Sequence, residues 1–314
     1  MSVLPLRFAV VGHPVAHSAS PTMHMAALRA LGLPHLYEAV DCPSRQSFDR
    51  VLQLLRRGYF AGLNVTAPYK GAAFESASVF DDGARRTGAA NTLRMRGQDL
   101  EACNTDLPAM IEQLEQAHPR LGVALVIGSG GVARAAVEAC QRLGVRLVGV
   151  TSRSWYDTEV LYESTVAQEF RDKRALTFPW PQPGTAPERT RGSLELQLQW
   201  GEFAAMADVI IQATSAGLAT TSTGQLASTG HPGESVAGII PWDRVPAHAL
   251  AYEVIYGAPT PFVQAARRRG LTVLDGAELL ARQGARSLAL WLGQPPPYGV
   301  MLAAARSHLQ TVRP

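Results

Sequence analysis

Cysteine is scarce in this chain, and charge of one sign is nowhere concentrated. The three cysteines, Cys42, Cys103 and Cys140, stand far apart, with no CxxC pair and no nearby histidine pair. That excludes a disulfide framework and the common zinc spacings, and leaves reduced, buried thiols in a cytoplasmic compartment as the expectation. The eight histidines form no ligand-spaced set, so no metal is expected. No stretch approaches 18 uninterrupted apolar residues, so no membrane span is expected. Met1 to Arg7 lead straight into a strand without a basic-then-apolar leader, which again points to the cytoplasm. With 29 Lys+Arg against 26 Asp+Glu the formal charge is only +3. The densest basic run, Arg267 to Arg269, lies on an apparent helix and reads as a solvated face, so no nucleic-acid partner is expected.

What is present is an ordinary globular composition. The chain has 314 residues, 46% apolar, 18% charged and 7% aromatic, which at roughly 100 to 200 residues per domain predicts two domains. Low net charge excludes disorder, and the 21 prolines and 28 glycines belong in turns and loops. Two loose stretches, Phe178 to Pro187 and Thr220 to Val236, are the expected surface loops.

Short apolar runs alternate with helix-length periodic segments, the pattern of an α/β fold with parallel strands joined by helical crossovers. Strands are expected at Phe8–Val11, Leu36–Val40 and Gly62–Val65, and a hairpin over Ala89–Arg94 and Asp99–Cys103. Helices are expected at Pro21–Leu31, N-capped by Ser20, at Ser47–Arg57, and from Thr105 to Ala117 behind Asn104 or Thr105 as cap. A second series begins with a strand at Val123–Ile127, a helix at Val132–Leu143 and a strand at Arg146–Val150. It continues with one helix over Thr158–Phe170, strands at Val209–Gln212, Ala249–Ile255 and Leu271–Leu274, and helices at Thr260–Arg269 and Gly276–Trp291.

The strongest motif is Gly128-Ser129-Gly130-Gly131-Val132-Ala133, between an apolar strand and a helix. In that context the first glycine permits a tight turn, the second lets backbone approach a pyrophosphate, and small Ala133 lets helix and strand pack closely. At the end of the next strand an acidic residue would hydrogen-bond the 2′-hydroxyl of NAD. Here stand Thr151, Ser152, Arg153 and Ser154, with no carboxylate before Asp157, and the fork of Arg153 suits a 2′-phosphate. NADP is therefore favoured, with NAD the alternative.

Polar residues that no core requires gather in the N-terminal part. Ser18 and Ser20 lie beside a helix N-terminus, a place that suits a carboxylate. Lys70 falls in the first turn of another helix, where its charge opposes the dipole, and this marks it for a chemical task. Asn91-Thr92 and Asn104-Thr105-Asp106 add polar groups at element ends.

In this order the motifs resemble the shikimate dehydrogenase family. They are HSASP at 17–21, NVTAPYK at 64–70, GAANT at 88–92, CNTD at 103–106, GSGGVAR at 128–134, ATSAG at 213–217, YEVIYGAPTPF at 252–262 and DGAELLARQGARSLALWLG at 275–293. The resemblance implies a two-domain α/β enzyme that reversibly oxidises shikimate to 3-dehydroshikimate with NADP. It further implies a substrate domain over residues 1–105 with 276–314, a Rossmann-type NADP domain over 106–275, and a cleft between them. Lys70 and Asp106 become the catalytic pair, and Ser18 and Ser20 the carboxylate ligands. Thr66, Asn91, Tyr256 and Gln283 become further substrate contacts. Gly128 to Ala133, Ser152 to Ser154, Thr214 and Gly276 become cofactor contacts, while His17 and His24 shape a loop. A monomer or homodimer is the implied state.

Several positions depart from the family pattern. Ser152-Arg153-Ser154 replaces the usual Asn-Arg-Thr, Gln212 an Asn, Glu253 an Asp and Glu278 a Gly; the chain is also longer between Lys173 and Val236. A quinate/shikimate dehydrogenase, a relative acting on amino-shikimate, and a dinucleotide-binding regulator without turnover are the competing expectations.

Overall fold

The computed structural model describes residues 4–118, 120–181, 200–214, 236–257 and 259–311. The chain divides into two compact units, Met1–Met110 with Ala277–Arg313, and Ile111–Gly276.

The first unit opens with β1 (Arg7–Gly12), α1 (Ser20–Ala30), β2 (Leu36–Asp41), α2 (Arg45–Arg56) and β3 (Gly62–Val65). The burial suits parallel strands under helical crossovers: every residue of β3 is buried, and β1 is buried but for half-buried Arg7. Helix α2 starts where Ser44 and Ser47 form a reciprocal capping box. Then follow α3 (Lys70–Glu75), β4 (Val79–Phe80), α4 (Asp82–Thr87), β5 (Thr92–Arg96), β6 (Asp99–Cys103) and α5 (Asp106–Ala117), whose first residues belong to this unit. The sheet runs β2-β1-β3-β5-β6-β4, with β5 and β6 antiparallel across a turn at Gly97 (φ 65°).

Two expectations for this part need correction. Ser20 is not the N-cap of α1 but its first residue; Ala19 takes the cap position, and the Ser20 N–H donates to Ser18 Oγ at 3.2 Å. Pro21 still occupies the first turn, where its missing N–H costs nothing. The short β4 and α4 were not expected, because two- and six-residue elements carry too little periodicity to read.

The second unit continues with β7 (Val123–Ile127), α6 (Gly131–Arg142), β8 (Leu147–Thr151), α7 (Thr158–Glu163), α8 (Thr165–Asp172), β9 (Leu176–Phe178), α9 (Trp200–Ala204), β10 (Val209–Gln212), β11 (Leu250–Glu253), α10 (Pro261–Arg268) and β12 (Thr272–Leu274). All its strand pairs are parallel, in the order β12-β11-β10-β7-β8-β9. This is the doubly wound Rossmann order, whose strand sequence reverses between β7 and β10. The single helix expected over Thr158–Phe170 is two, broken at Ser164, whose Oγ accepts from the Ala167 N–H at 3.1 Å and so caps the second. Of the expected loops, residues 182–187 and 220–235 lie outside the described residues. The core gathers Leu125, Ile127, Phe178, Phe203, Ile210 and Phe262.

The chain then returns to the first unit as α11 (Gly276–Leu292, in the first unit from Ala277) and α12 (Tyr298–Thr311), the latter unexpected. Trp291 of α11 explains the return: it stacks on Phe8 at 4.9 Å and donates from Nε1 to the Leu93 carbonyl at 3.2 Å. A Cβ on Gly62 would stand 2.3 Å from Trp291 Nε1, so β3 needs glycine there for α11 to dock.

His24 lies wholly buried in α1, stacked on Tyr37 at 4.1 Å, with no hydrogen-bond partner for either ring nitrogen among the described residues. It belongs to the core rather than to a loop. Burial pushes its pKa down from 6.5 to about 3. Between those values the unfolded chain binds a proton that the folded chain excludes, so stability falls as pH drops below 6.5. At pH 4.5 this costs about 3 kcal/mol. His24→Leu should lose correspondingly less stability in urea unfolding between pH 7 and 4.5; an unchanged pH dependence would refute the assignment.

Among the described residues no helix is long and apolar enough to cross a membrane. All three cysteines are buried and unpaired, and burial pushes the Cys103 and Cys140 thiols up to about 12, which leaves them un-ionised near neutral pH.

Candidate active site

In the first unit, the segments that leave β1, β2 and β3 emerge side by side. Val11 pairs with Val65 and Gly12 with Asp41 in parallel register, His13 N–H donates to the Ala67 carbonyl at 3.0 Å, and Tyr69 O–H donates to the Cys42 carbonyl at 2.5 Å. Carboxyl ends of parallel strands are where open α/β sheets bind ligands. Asp41 holds the first segment by accepting from Val15 N–H at 3.2 Å and pairing with His13 Nδ1 at 3.0 Å. Half-buried Ser18 and buried Ser20 sit at the start of α1, which has no side-chain cap. Thr66 follows β3, its N–H bonded to the Val11 carbonyl at 2.9 Å; its Cγ2 lies 2.3 Å from where a Cβ on Gly12 would be.

Lys70 begins α3, and its Nζ donates to Asp106 Oδ2 at 2.7 Å. Both groups are largely withdrawn from water, the side chains 15% and 8% exposed. Asp106 is held in the first turn of α5 because Asn104 Oδ1 caps that helix through the Leu107 N–H at 3.0 Å. A helix N-terminus favours the Asp106 carboxylate and disfavours the Lys70 ammonium, so the ion pair offsets what Lys70 loses at the start of its own helix. Asn91 Nδ2 donates to Asp106 Oδ1 at 2.8 Å and to Gln283 Oε1 at 3.1 Å. The Thr105 N–H donating to Asn91 Oδ1 at 2.8 Å fixes which way that amide faces. Lys70, Asp106, Asn91 and Gln283 thus form one connected group drawn from four separate parts of the sequence.

In the second unit, Gly128 adopts φ 129° and its N–H donates to the Thr151 carbonyl at 2.8 Å. A Cβ there would stand 2.7 Å from the Ala213 carbonyl oxygen, at the point where the strand order reverses. Gly130 is the N-cap of α6, and among the described residues it has no side-chain cap and a Cβ on it would meet nothing within 4 Å. The first-turn N–H groups of Gly131, Val132 and Ala133 are therefore available to an anion, and the site fits the pyrophosphate of a dinucleotide. Buried Ala133 lets α6 approach the sheet. Hydroxyls of Ser129, Ser152 and Ser154 form a ladder, 2.9 Å and 3.0 Å apart, beside exposed Arg153. Asp157 Oδ1 caps α7 through the Val160 N–H at 2.8 Å.

Gln212 and Thr214 bond each other, Nε2 to Oγ1 at 2.9 Å and the Thr214 N–H to Oε1 at 3.1 Å; positions 215–217 of the ATSAG motif lie outside the described residues. A Cβ on Gly276 would lie 2.4 Å from the Ile255 carbonyl oxygen, so this turn requires glycine. Half-buried Tyr256 belongs to this unit. Glu253, just before it, accepts from Thr260 O–H at 2.7 Å and Ile255 N–H at 3.1 Å; burial raises its pKa to about 7 against those two bonds. Glu278 pairs with Arg282 at 2.6 Å on its own helix.

Sequence reading missed Asn64, Tyr37 and Ser287, which back this group. Two signals existed: Asn64 is the one amide in an otherwise apolar four-residue strand, and Ser287 lies one turn after Gln283 on the same helix.

The chain matches the family models described as the shikimate dehydrogenase substrate binding domain, over residues 10–93, and the shikimate 5'-dehydrogenase C-terminal domain, over residues 276–306. The shikimate dehydrogenase (NADP(+)) of Anaeromyxobacter sp. (strain K) is 35% identical over 303 residues, covering 96% of each chain. That of Synechocystis sp. is 32% identical over 305 residues, covering 96% of this chain and 95% of its own. A crystal structure of shikimate 5-dehydrogenase from Thermus thermophilus, in complex with NADP(H) and shikimate, superposes with a TM-score of 0.74 at 32% identity, covering 97% of this chain and all of that one.

Proposed function

The chain belongs to the shikimate dehydrogenase family, and on that footing we propose that it is the oxidoreductase that reversibly oxidises shikimate to 3-dehydroshikimate with NADP. The observation that carries the chemistry is the 2.7 Å Lys70–Asp106 pair, withdrawn from water and braced by Asn91.

Bound NADP supplies a nicotinamide carbon that takes the hydride from the alcohol carbon, and reduced NADP returns it. The residues of the chain handle the proton. In reduction, Lys70 Nζ gives a proton to the carbonyl oxygen as negative charge develops on it; in oxidation the neutral amine takes the hydroxyl proton. Asp106 Oδ2 keeps the amine in place throughout, and acid–base help of this kind contributes about 10² to 10⁴ in rate. Asn91 directs both of its amide hydrogens to Asp106 and Gln283, so its part is to orient those two groups on the ring hydroxyls. Ser18 and Ser20 at the uncapped start of α1 hold the substrate carboxylate, and Thr66 and Tyr256 are further contacts. Residues 1–110 with 277–313 then form the substrate unit and 111–276 the NADP unit.

On the cofactor, Gly128 to Ala133 cradle the pyrophosphate, and Gly276 and Thr214 serve the nicotinamide side. Arg153 and the serine ladder hold the 2′-phosphate. The test is an initial-rate panel of shikimate, quinate and amino-shikimate against NADP and NAD. Shikimate with NADP should give the highest kcat/KM. A quinate optimum would overturn the substrate, and an NAD optimum the reading of Arg153. Arg153→Ala should raise the KM for NADP about 10- to 100-fold, the loss of a charge-assisted contact, and leave that for NAD nearly unchanged.

A further inference from the structure

Behind Asn91 and Gln283 lies a buried cluster of polar side chains that touches none of the reacting groups directly. Tyr37 O–H donates to Asn64 Oδ1 at 2.7 Å, which turns Asn64 Nδ2 the other way, toward Ser287 Oγ at 2.9 Å, the Asn91 carbonyl at 3.1 Å and Thr92 Oγ1 at 3.2 Å. Ser287 is wholly buried on α11. Besides accepting from Asn64, its hydroxyl lies 2.7 Å from Thr92 Oγ1, 3.2 Å from Thr105 Oγ1 and 3.0 Å from the Gln283 carbonyl. Apolar side chains of the same size would fill this space at lower desolvation cost, so stability alone does not call for five hydroxyls and amides here.

Counting hydrogens gives the cluster a task. Thr105 has one hydroxyl hydrogen and three acceptors within reach, Asn91 Oδ1 at 3.1 Å, Ser287 Oγ at 3.2 Å, which already accepts from Asn64, and Gln283 Oε1 at 3.4 Å. Thr92 likewise chooses among Ser287 at 2.7 Å, Asn91 Oδ1 at 3.2 Å and Thr105 Oγ1 at 3.4 Å. While Ser287 occupies Thr92, Asn91 Oδ1 is left to Thr105, and Gln283 Oε1 is left to Asn91 Nδ2. Without the Ser287 hydroxyl, Thr92 turns to Asn91 Oδ1 and Thr105 is displaced onto Gln283 Oε1, where it competes with Asn91. We propose that Ser287 is a positioning residue for shikimate: through Thr92 and Thr105 it fixes the Asn91 amide, which donates to Asp106, and the Gln283 amide, which accepts from Asn91. The inference rests on the site assignment made above.

Ser287→Ala and the near-isosteric Thr105→Val test it, with initial rates over both substrates, a thermal melt, and Lys70→Ala in parallel. Each should raise the shikimate KM about tenfold and leave the NADP KM within twofold. The double variant should be no worse than the worse single one, because both break one chain of bonds. Should Ser287→Ala fold poorly, Thr105→Val, which keeps the volume, reads the same KM. A shikimate KM within twofold of the parent in the folded variants, or effects that multiply, overturns the proposal while an inactive Lys70→Ala leaves the site assignment standing. Full turnover in Lys70→Ala overturns both.

Discussion

Replacing Lys70 by alanine should lower kcat for shikimate oxidation by about 10² to 10⁴, the usual worth of a positioned acid–base group. NADP affinity should stay within severalfold, because the proposed cofactor contacts come from residues 128–276 and Lys70 belongs to the other compact unit. The variant also takes from the buried Asp106 carboxylate its charged partner at 2.7 Å and leaves it the Asn91 bond at 2.8 Å. Some loss of stability is therefore expected beside the loss of rate. Stopped-flow or steady-state rates with a parallel NADP titration separate the two. Undiminished turnover would remove Lys70 from the mechanism.

Gly128→Ala should be comparably severe on the cofactor side, for a different reason. At φ 129° a side chain is strained, and the new Cβ would lie 2.7 Å from a backbone carbonyl that cannot swing away. Strain and overpacking of this type each cost about 1 to 3 kcal/mol. NADP binding should weaken more than tenfold, and the melting temperature should fall with it. Gly130→Ala makes the informative contrast. Among the described residues nothing beyond its chain neighbours lies within 4 Å of that Cβ, so the fold should keep its stability, while a phosphate resting on the start of α6 would meet the methyl. Equal binding of NADP by parent and both variants, measured by calorimetry, would show that the dinucleotide does not sit at this turn.

Most of the elements that position the site were legible in the sequence, since they are strand–loop–helix units with local signals. Apolar four- and five-residue runs marked β1, β3 and β7, and the glycine run marked the start of α6. The helix expected over Thr158–Phe170 failed for a local reason as well. Ser164 can cap a new helix as readily as continue an old one, and periodicity does not distinguish these. Likewise Ser20 has the chemistry of a cap, but the chain enters α1 one residue earlier and puts Ala19 in the cap position.

What the sequence by itself determined is the set of chemical types at element ends: a lysine and an aspartate that oppose or favour their own helix termini, a glycine turn after a buried strand, and an arginine where an acid would select NAD. Those depend on contacts within a few residues. Which of these groups meet was decided only by tertiary structure. Asn91, Asp106, Lys70 and Gln283 span more than 200 positions and are joined because Gly62 admits Trp291, which brings α11 and Gln283 back onto the first sheet. The direction of each amide was decided there too. An amide has no preferred face until neighbouring donors supply one, and for Asn64 and Asn91 those donors, Tyr37 and Thr105, come from strands and loops distant in the chain.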